Sequence, residues 1–143
     1  MFLLRIKLLT VFLLLSLIFS SCERSNRSGI PYVPVNLQLT VSNPEFSNLL
    51  AVGGWVQIGG GSQGIIVYRF SPEEFRAYDR HCTFQIEENC RVTVDNSDIN
   101  AVDTECCDSK FLISDGAPSD GPAAIGLQQY NTQFDGNTLL IYN

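Results

Sequence analysis

The stretch GIIVYRFSPEEFRAYDRHC, residues 64–82, decides the fold. Its first part, Gly64–Phe70, is rich in β-branched residues, which is typical of a buried strand. Ser71–Glu74 then provides a capping serine followed by a proline, which predicts a tight turn or a single helical turn. Because Phe75–Asp79 can begin a second strand directly afterwards, the stretch as a whole predicts an antiparallel hairpin.

Further strands are predicted on both sides of this hairpin. Val35–Ser42 alternates apolar and polar residues, which predicts a half-buried strand. Leu49–Ile58 predicts another, with a bend or bulge at its paired glycines, while Gly116–Gly126 is predicted to be a loop. The remaining predicted strands are Arg91–Asp95, Phe111–Ser114, Gln128–Phe134 and Thr138–Tyr142. No window shows a sustained helical stripe, so the sequence predicts an all-β sandwich or small barrel.

The beginning of the chain has the three parts of an export signal. Met1–Ser21 contains a short basic start, an apolar run at Leu8–Phe19 and two small residues before Cys22. The apolar run is too short to predict a membrane-spanning helix. Residues 19–22, FSSC, resemble the bacterial lipobox, which implies cleavage after residue 21 and lipidation of Cys22. The alternative is an ordinary secretory signal that leaves Cys22 as a spare thiol.

Composition limits what the exported chain can bind. Removing residues 1–21 takes away Arg5 and Lys7 but no acid, so the net charge changes from −6 to −8. Residues 22–34 read as a flexible tether and residues 35–143 as one domain. The acidic balance and the lack of a basic stripe argue against nucleic-acid binding. We therefore expect the membrane link to be covalent, through Cys22, in the bacterial cell envelope at the periplasmic face or the outer membrane.

Several pieces of the chain together resemble Rieske [2Fe–2S] domains. Residues 64–69 (GIIVYR) and 77–82 (AYDRHC) resemble the approach to the first metal loop of that family. Residues 106–111 (CCDSKF) resemble its second metal loop, and residues 116–118, 121–123 and 135–139 fit its closing stretch. The resemblance covers roughly Leu49 to Asn143. It implies an all-β fold of stacked antiparallel sheets with a smaller, loop-bearing part at about residues 79–118.

The resemblance also implies where metal ligands would lie. A Rieske centre is held by Cys-x-His in the first loop and Cys-x-x-His in the second. Cys82 falls on the first cysteine and Phe84 on the first histidine, while Thr104 falls on the second cysteine and Cys107 on the second histidine. Phe84 has no donor atom and a threonine hydroxyl is a poor substitute for thiolate. The chain has one histidine, His81, so an intact two-histidine cluster is not expected.

Four cysteines remain beyond Cys22, and the first interpretation of them is structural. In an exported protein, an even number of cysteines favours disulfides or a metal site, and four cysteines allow three complete pairings. Many Rieske domains carry a disulfide that joins the two loops, and Cys106 falls on one of those positions while Cys90 lies several residues beyond the other. Pairs such as Cys82–Cys107 and Cys90–Cys106 would then tie the loops in place of a metal.

Two other interpretations stay open. His81 and the four cysteines could bind a cluster or zinc, although no CxxC pair is present. The cysteines could instead perform thiol–disulfide exchange, which the lack of a CxxC motif and of a helix to lower a cysteine pKa disfavours.

The sequence therefore predicts two classes of function. The first is a membrane-anchored binding or accessory lipoprotein that kept a Rieske-like fold and lost the cluster ligands, with no cofactor. The second is an electron-transfer protein with a [2Fe–2S] cluster in a non-standard, cysteine-rich site. An enzyme is not favoured, and no catalytic residue is assigned, because no nucleophile–base pair can be assembled from these residues.

Overall fold

The computed structural model describes residues 28–143, so the predicted signal peptide and Cys22 lie outside the described residues. The described part consists of ten short strands and two 3₁₀ segments. The strands are β1 (Asn36–Thr40), β2 (Trp55–Ile58), β3 (Ile65–Arg69), β4 (Phe75–Asp79), β5 (Thr93–Val94), β6 (Asn100–Val102), β7 (Lys110–Leu112), β8 (Pro118–Asp120), β9 (Gln129–Phe134) and β10 (Thr138–Tyr142).

The strands form two antiparallel sheets. The larger sheet has six strands in the order β1-β10-β9-β4-β3-β2, and the smaller has four in the order β5-β6-β7-β8. All strand pairs are antiparallel. The smaller sheet is formed entirely by the chain between β4 and β9, so the loop-bearing part is an insertion into the larger sheet. The predicted all-β, two-sheet architecture is confirmed.

The β3–β4 hairpin separates two hydrophobic cores. Ile65 and Val67 of β3 lie in one core, whereas Ile66, between them in sequence, lies in the other. Successive side chains of a strand point to opposite faces, so a strand with cores on both sides must be apolar at every position. This explains the uninterrupted apolar run of residues 65–67. The β3–β4 hairpin also places the end of β4 next to the second core, where the loops of the smaller sheet pack.

Three segments differ from the sequence predictions. The first half of the predicted strand Leu49–Ile58 is wrong, because Pro44–Leu50 is a 3₁₀ segment that begins after Asn43 and buries Leu49 completely. Strand β6 was not predicted, since three residues are too few to show alternation. Strand β8 lies inside the predicted loop Gly116–Gly126, where it pairs with β7 across a register shift.

The chain already packs against the domain before residue 35. Ser28 and Ile30 are almost completely buried, and the Ser28 hydroxyl donates a hydrogen bond to the Gln128 side chain at 2.9 Å. The Asn143 side chain contacts the backbone of both Val33 and Val35. The packed part of the chain therefore begins within the predicted tether. No helix in residues 28–143 is long and apolar enough to cross a membrane.

Candidate functional site

Two loops of the smaller sheet meet at the end of β4. The first loop, residues 80–92, closes on itself, because the Cys82 amide donates to the Cys90 carbonyl and the Val92 amide to the Arg80 carbonyl. The second loop, residues 103–109, connects β6 to β7. These are the loops that the sequence predicted to carry the site.

A disulfide joins the two loops through Cys90 and Cys106. The expectation of a disulfide in this domain is confirmed. The bond spans a sequence separation of 16 residues, and a crosslink over a loop of this length stabilises a domain by about 3 kcal/mol, mainly by restricting the unfolded chain.

Cys82 and Cys107 are free thiols, one from each loop. Their sulfur atoms lie 3.7 Å apart, which is contact without a covalent bond. Cys82 is completely buried, whereas Cys107 is half-buried and partly accessible. Burial raises the pKa of Cys82 to about 12; a backbone hydrogen bond from Phe84 lowers it, while the hydrogen bonds with the Asp103 carboxylate and the Cys107 thiol add to the rise.

Asp103 provides a buried carboxylate beside the thiols. Its Oδ1 atom accepts hydrogen bonds from the backbone amides of Glu105 and Cys106, each at 3.1 Å. Its Oδ2 atom lies 3.2 Å from the Cys107 sulfur, which donates to it. The hydroxyl oxygen of Ser109, also fully buried, lies 3.0 Å from the same sulfur and accepts the Ala123 amide. We call Cys82, Asp103, Cys107 and Ser109 the thiol site.

His81 lies next to Cys82 in sequence but belongs to different surroundings. Its ring is buried, with Nε2 2.9 Å from the Ile86 carbonyl and Nδ1 2.7 Å from the Ser62 hydroxyl. A carbonyl only accepts, so Nε2 donates to Ile86, while Nδ1 shares a hydrogen bond with the Ser62 hydroxyl. Both ring nitrogens are therefore engaged in fixing the first loop.

Below His81, the Asp79 carboxylate fixes the end of β4. It accepts hydrogen bonds from the backbone amides of Ser62, Gln63 and His81 and from the Tyr130 hydroxyl, at distances of 2.6–3.2 Å. Burial and the hydrogen bond to Asp79 raise the pKa of Tyr130 far above its usual range. We call Asp79, Ser62, Gln63, His81 and Tyr130 the Asp79 network. It joins the β2–β3 turn, β4 and β9 at one point.

Phe84 and Thr104, the other two residues aligned with the family's ligands, do not belong to the group of donor atoms around the two thiols. Phe84 is half-buried and packs against the second core. Thr104 is exposed to solvent. Among residues 28–143, the donor group that includes Cys82 and Cys107 is completed by Asp103.

This donor set does not fit a Rieske cluster. Such a cluster takes two thiolates on one iron and two imidazoles on the other. Here the loops bring together two thiols and a carboxylate, and the one imidazole of the chain is directed at Ser62 and Ile86. The site therefore has no pair of imidazoles for a second iron.

The structure is similar to a solved Rieske protein and to two solved structures that contain a ferredoxin. It matches the cyanobacterial plasma membrane Rieske protein PetC3 from Synechocystis PCC 6803 with a TM-score of 0.56 and 21% identity, covering 75% of this chain and 99% of that one. It also matches the ferredoxin of carbazole 1,9a-dioxygenase from Nocardioides aromaticivorans IC177, with a TM-score of 0.49 and 16% identity over 78% of this chain and 98% of that one. A complex of reduced oxygenase and oxidized ferredoxin in carbazole 1,9a-dioxygenase matches with a TM-score of 0.50 and 16% identity, covering 75% and 93%.

The likeness to the cyanobacterial protein shows that the fold is Rieske-like, and the predicted resemblance is confirmed at that level. No family model matches the chain, and no curated protein matches it in sequence.

Sequence reasoning missed the central acid of the thiol site. The available signal was the position of Asp103, three residues before Cys106, because an aspartate commonly accepts hydrogen bonds from amides two and three residues further on. Its contact with Cys82 depends on the meeting of two loops, which no local pattern shows.

Proposed function

We propose that this chain is an exported, lipid-anchored binding or accessory protein that uses a Rieske-like domain without a Rieske cluster. The observation that carries the proposal is the engagement of both ring nitrogens of His81, the one histidine in the chain, away from the thiols. Without two imidazoles, the usual ligand set for the second iron is missing.

Other contacts supply the cohesion that a cluster would provide. The Cys90–Cys106 disulfide ties the loops covalently. Asp103 and Ser109 then organise the second loop through hydrogen bonds to its backbone and to Ala123. A loop pair held in this way needs no metal to keep its shape, which supports a role as a recognition surface.

The anchor is supported by the start of the chain. Five residues, 23–27, separate Cys22 from Ser28, which packs on the domain. An extended chain of that length spans at most about 20 Å, so a lipidated Cys22 would hold the domain close to the membrane surface. Each buried acyl CH₂ contributes about 0.8 kcal/mol, and several chains make the attachment nearly permanent.

A second candidate is electron transfer through a cysteine-rich iron–sulfur site. The contact of 3.7 Å between the sulfurs of Cys82 and Cys107 favours it, since both thiolates could reach one iron. The test is to purify the mature chain with Cys22→Ser after iron–sulfur reconstitution, then measure visible absorbance, iron content and free thiols. A colourless protein without iron is expected, whereas a brown protein with about two irons per chain would overturn the proposal.

A matched variant makes the iron measurement decisive. Phe84→His, Thr104→Cys and Cys107→His together restore the family ligand pattern on the same two loops. We expect this triple variant to take up iron under conditions in which the natural sequence takes up none. That outcome would assign the lack of iron to these positions rather than to the reconstitution procedure.

The anchor is tested separately in whole bacteria. Labelled palmitate is expected to enter the full-length chain and to be absent from Cys22→Ser, which should also leave the membrane fraction. Equal membrane association of the two proteins would reject lipidation at Cys22 and leave the proposal about iron untouched.

A further inference from the structure

The thiol site pairs a buried sulfur with an accessible one. Cys82 is completely enclosed, whereas Cys107 reaches the surface of the second loop. Their sulfurs are 3.7 Å apart, and a disulfide needs about 2.05 Å, so closure requires an approach of less than 2 Å. In such a pair, only the accessible thiol can meet an outside reactant, and the buried one can react only with its neighbour.

A proton acceptor stands beside both sulfurs. A carboxylate oxygen of Asp103 lies within 4.8 Å of each of them, and Oδ2 accepts the Cys107 thiol at 3.2 Å. Thiols react with disulfides as thiolates, so a carboxylate at this place can take up the proton that each attack releases. The backbone amides of Glu105 and Cys106 hold its other oxygen in position.

The neighbouring disulfide keeps this pair aligned. Cys90–Cys106 joins the same two loops, one residue before Cys107 in the second. The loops therefore stay together whether the Cys82–Cys107 bond is open or closed. The four loop cysteines thus divide into a linked pair that holds the structure and a free pair whose state can change.

We propose that Cys82 and Cys107 form a thiol–disulfide exchange site, in which Cys107 attacks a substrate disulfide, Cys82 resolves the mixed disulfide and Asp103 accepts the protons. This inference rests on the proposed absence of an iron–sulfur cluster, because the same thiols cannot serve both purposes at once. The substrate class is an accessible disulfide in a small molecule or a partner protein.

The reaction balances with glutathione disulfide as the probe. In the first step the Cys107 sulfur bonds to one glutathione sulfur and the disulfide of the probe breaks; the Cys107 proton passes through Asp103 to the departing glutathione thiolate. In the second step Cys82 bonds to Cys107, the mixed disulfide breaks, and the Cys82 proton passes through Asp103 to the second glutathione. Two protein thiols are oxidised to a disulfide, and glutathione disulfide is reduced to two glutathione molecules.

The experiment treats the mature chain, which carries Cys22→Ser and has free thiols only at Cys82 and Cys107, with glutathione disulfide and follows intact mass over time. The natural thiol site is expected to end as a Cys82–Cys107 disulfide without adduct. Cys82→Ala, which keeps the buried position apolar, is expected to accumulate glutathione on Cys107, and Cys107→Ala should accumulate none. Peptide mapping checks that Cys90–Cys106 stays intact throughout.

Asp103→Asn tests the proton acceptor, with Asp108→Asn as its matched control. Asp108 is an exposed acid of the same loop, next to Cys107, so both substitutions remove one charge. Asp103→Asn is expected to slow exchange about tenfold or more near neutral pH and to recover as pH rises, because hydroxide then forms the thiolate directly. Asp108→Asn should leave the rate unchanged.

Three outcomes would overturn the inference. These are no glutathione adduct on Cys82→Ala, an adduct that persists in the natural sequence, and equal rates for Asp103→Asn and Asp108→Asn. Iron content measured on the same samples separates the two proposals. Iron-free protein with inert thiols contradicts only this inference, whereas iron-loaded protein contradicts the proposed function.

Discussion

Two completely buried carboxylates organise two neighbouring regions of this domain in different ways. Asp79 accepts four hydrogen bonds, three from backbone amides and one from the Tyr130 hydroxyl. Asp103 accepts two backbone amides on one oxygen, while its other oxygen faces the thiol of Cys107, a much weaker donor. Both oxygens of Asp79 are therefore used to hold the structure, whereas Asp103 keeps one oxygen that can accept a proton from a thiol.

The two carboxylates also differ in the span of chain that they connect. The Tyr130 hydroxyl is 51 residues from Asp79 in sequence, so that bond joins β9 to the end of β4. The amide donors of Asp103 are two and three residues away, within one loop. Loss of Asp79 should consequently disturb the whole larger sheet, and loss of Asp103 should disturb a single loop.

The largest expected effect is the loss of Asp79. Asp79→Ala leaves the buried His81 amide, the partly buried Ser62 and Gln63 amides and the buried Tyr130 hydroxyl without an acceptor. We expect a loss of about 4 kcal/mol in the free energy of unfolding. Asp103→Ala should cost about 2 kcal/mol, because Glu105 and Cys106 are exposed and their amides can reach water. Urea unfolding of both variants measures the difference. Equal losses would contradict the distinction between the two regions.

Removal of the loop disulfide should have the next largest effect. Cys90→Ala with Cys106→Ala is expected to cost about 3 kcal/mol, since the unfolded chain loses a crosslink over 16 residues. Reduction of the natural protein should lower the urea midpoint as far as the double substitution does. Reduction should leave the midpoint of the double variant unchanged. A shift of the double variant under reducing conditions would show that another disulfide contributes.

The fold could be predicted from the sequence because its centre is local. The hairpin of residues 64–82 carries its turn, its apolar run and its strand spacing within one short stretch. The 3₁₀ segment Pro44–Leu50 could not be predicted in the same way, because Leu49 is buried by contacts with the larger sheet rather than by a periodic pattern. Strands β6 and β8, of three residues each, are defined by pairing rather than by a local pattern: β6 pairs with β5 and β7, and β8 pairs with β7.

The site was predictable in part for the same reason. Cys82 and Cys107 could be assigned to the two loops by resemblance. Their contact, the choice of Cys90 for Cys106, and the place of Asp103 between the loops depend on how the smaller sheet folds back onto β4. His81 shows the limit clearly, since its neighbour in sequence is Cys82 but its ring is fixed by Ser62 and Ile86.

Gly61 offers a finer test of how tightly the Asp79 network is packed. An added Cβ atom would lie 2.3 Å from Asp79 Oδ2 and 2.5 Å from the Tyr130 hydroxyl oxygen, in a backbone with φ of +61°. Gly61→Ala is expected to cost about 2–3 kcal/mol. Gly53→Ala is the control, because its φ is also positive but no atom lies within 4 Å, so about 1 kcal/mol is expected. Equal losses of unfolding free energy for the two variants, in thermal or urea unfolding, would mean that the Asp79 network accommodates the added methyl group at no further cost in stability.

The smallest effect at neutral pH concerns Cys82, and it should grow only in alkali. Because the surroundings of Cys82 raise its pKa from 9.0 to about 12, the folded protein keeps the proton that the unfolded chain releases above pH 9. The stabilisation associated with this thiol is complete below about pH 9 and is lost as the pH rises toward 12. Burial also raises the pKa of Tyr78 to about 12, which contributes in the same direction, but Tyr78 is present in both proteins compared.

The stability of Cys82→Ala should therefore fall less steeply than that of the natural sequence in urea unfolding between about pH 8 and pH 11. Parallel curves would mean that the Cys82 thiol ionises as readily in the folded protein as in the unfolded chain. Burial in the thiol site would then not raise its pKa.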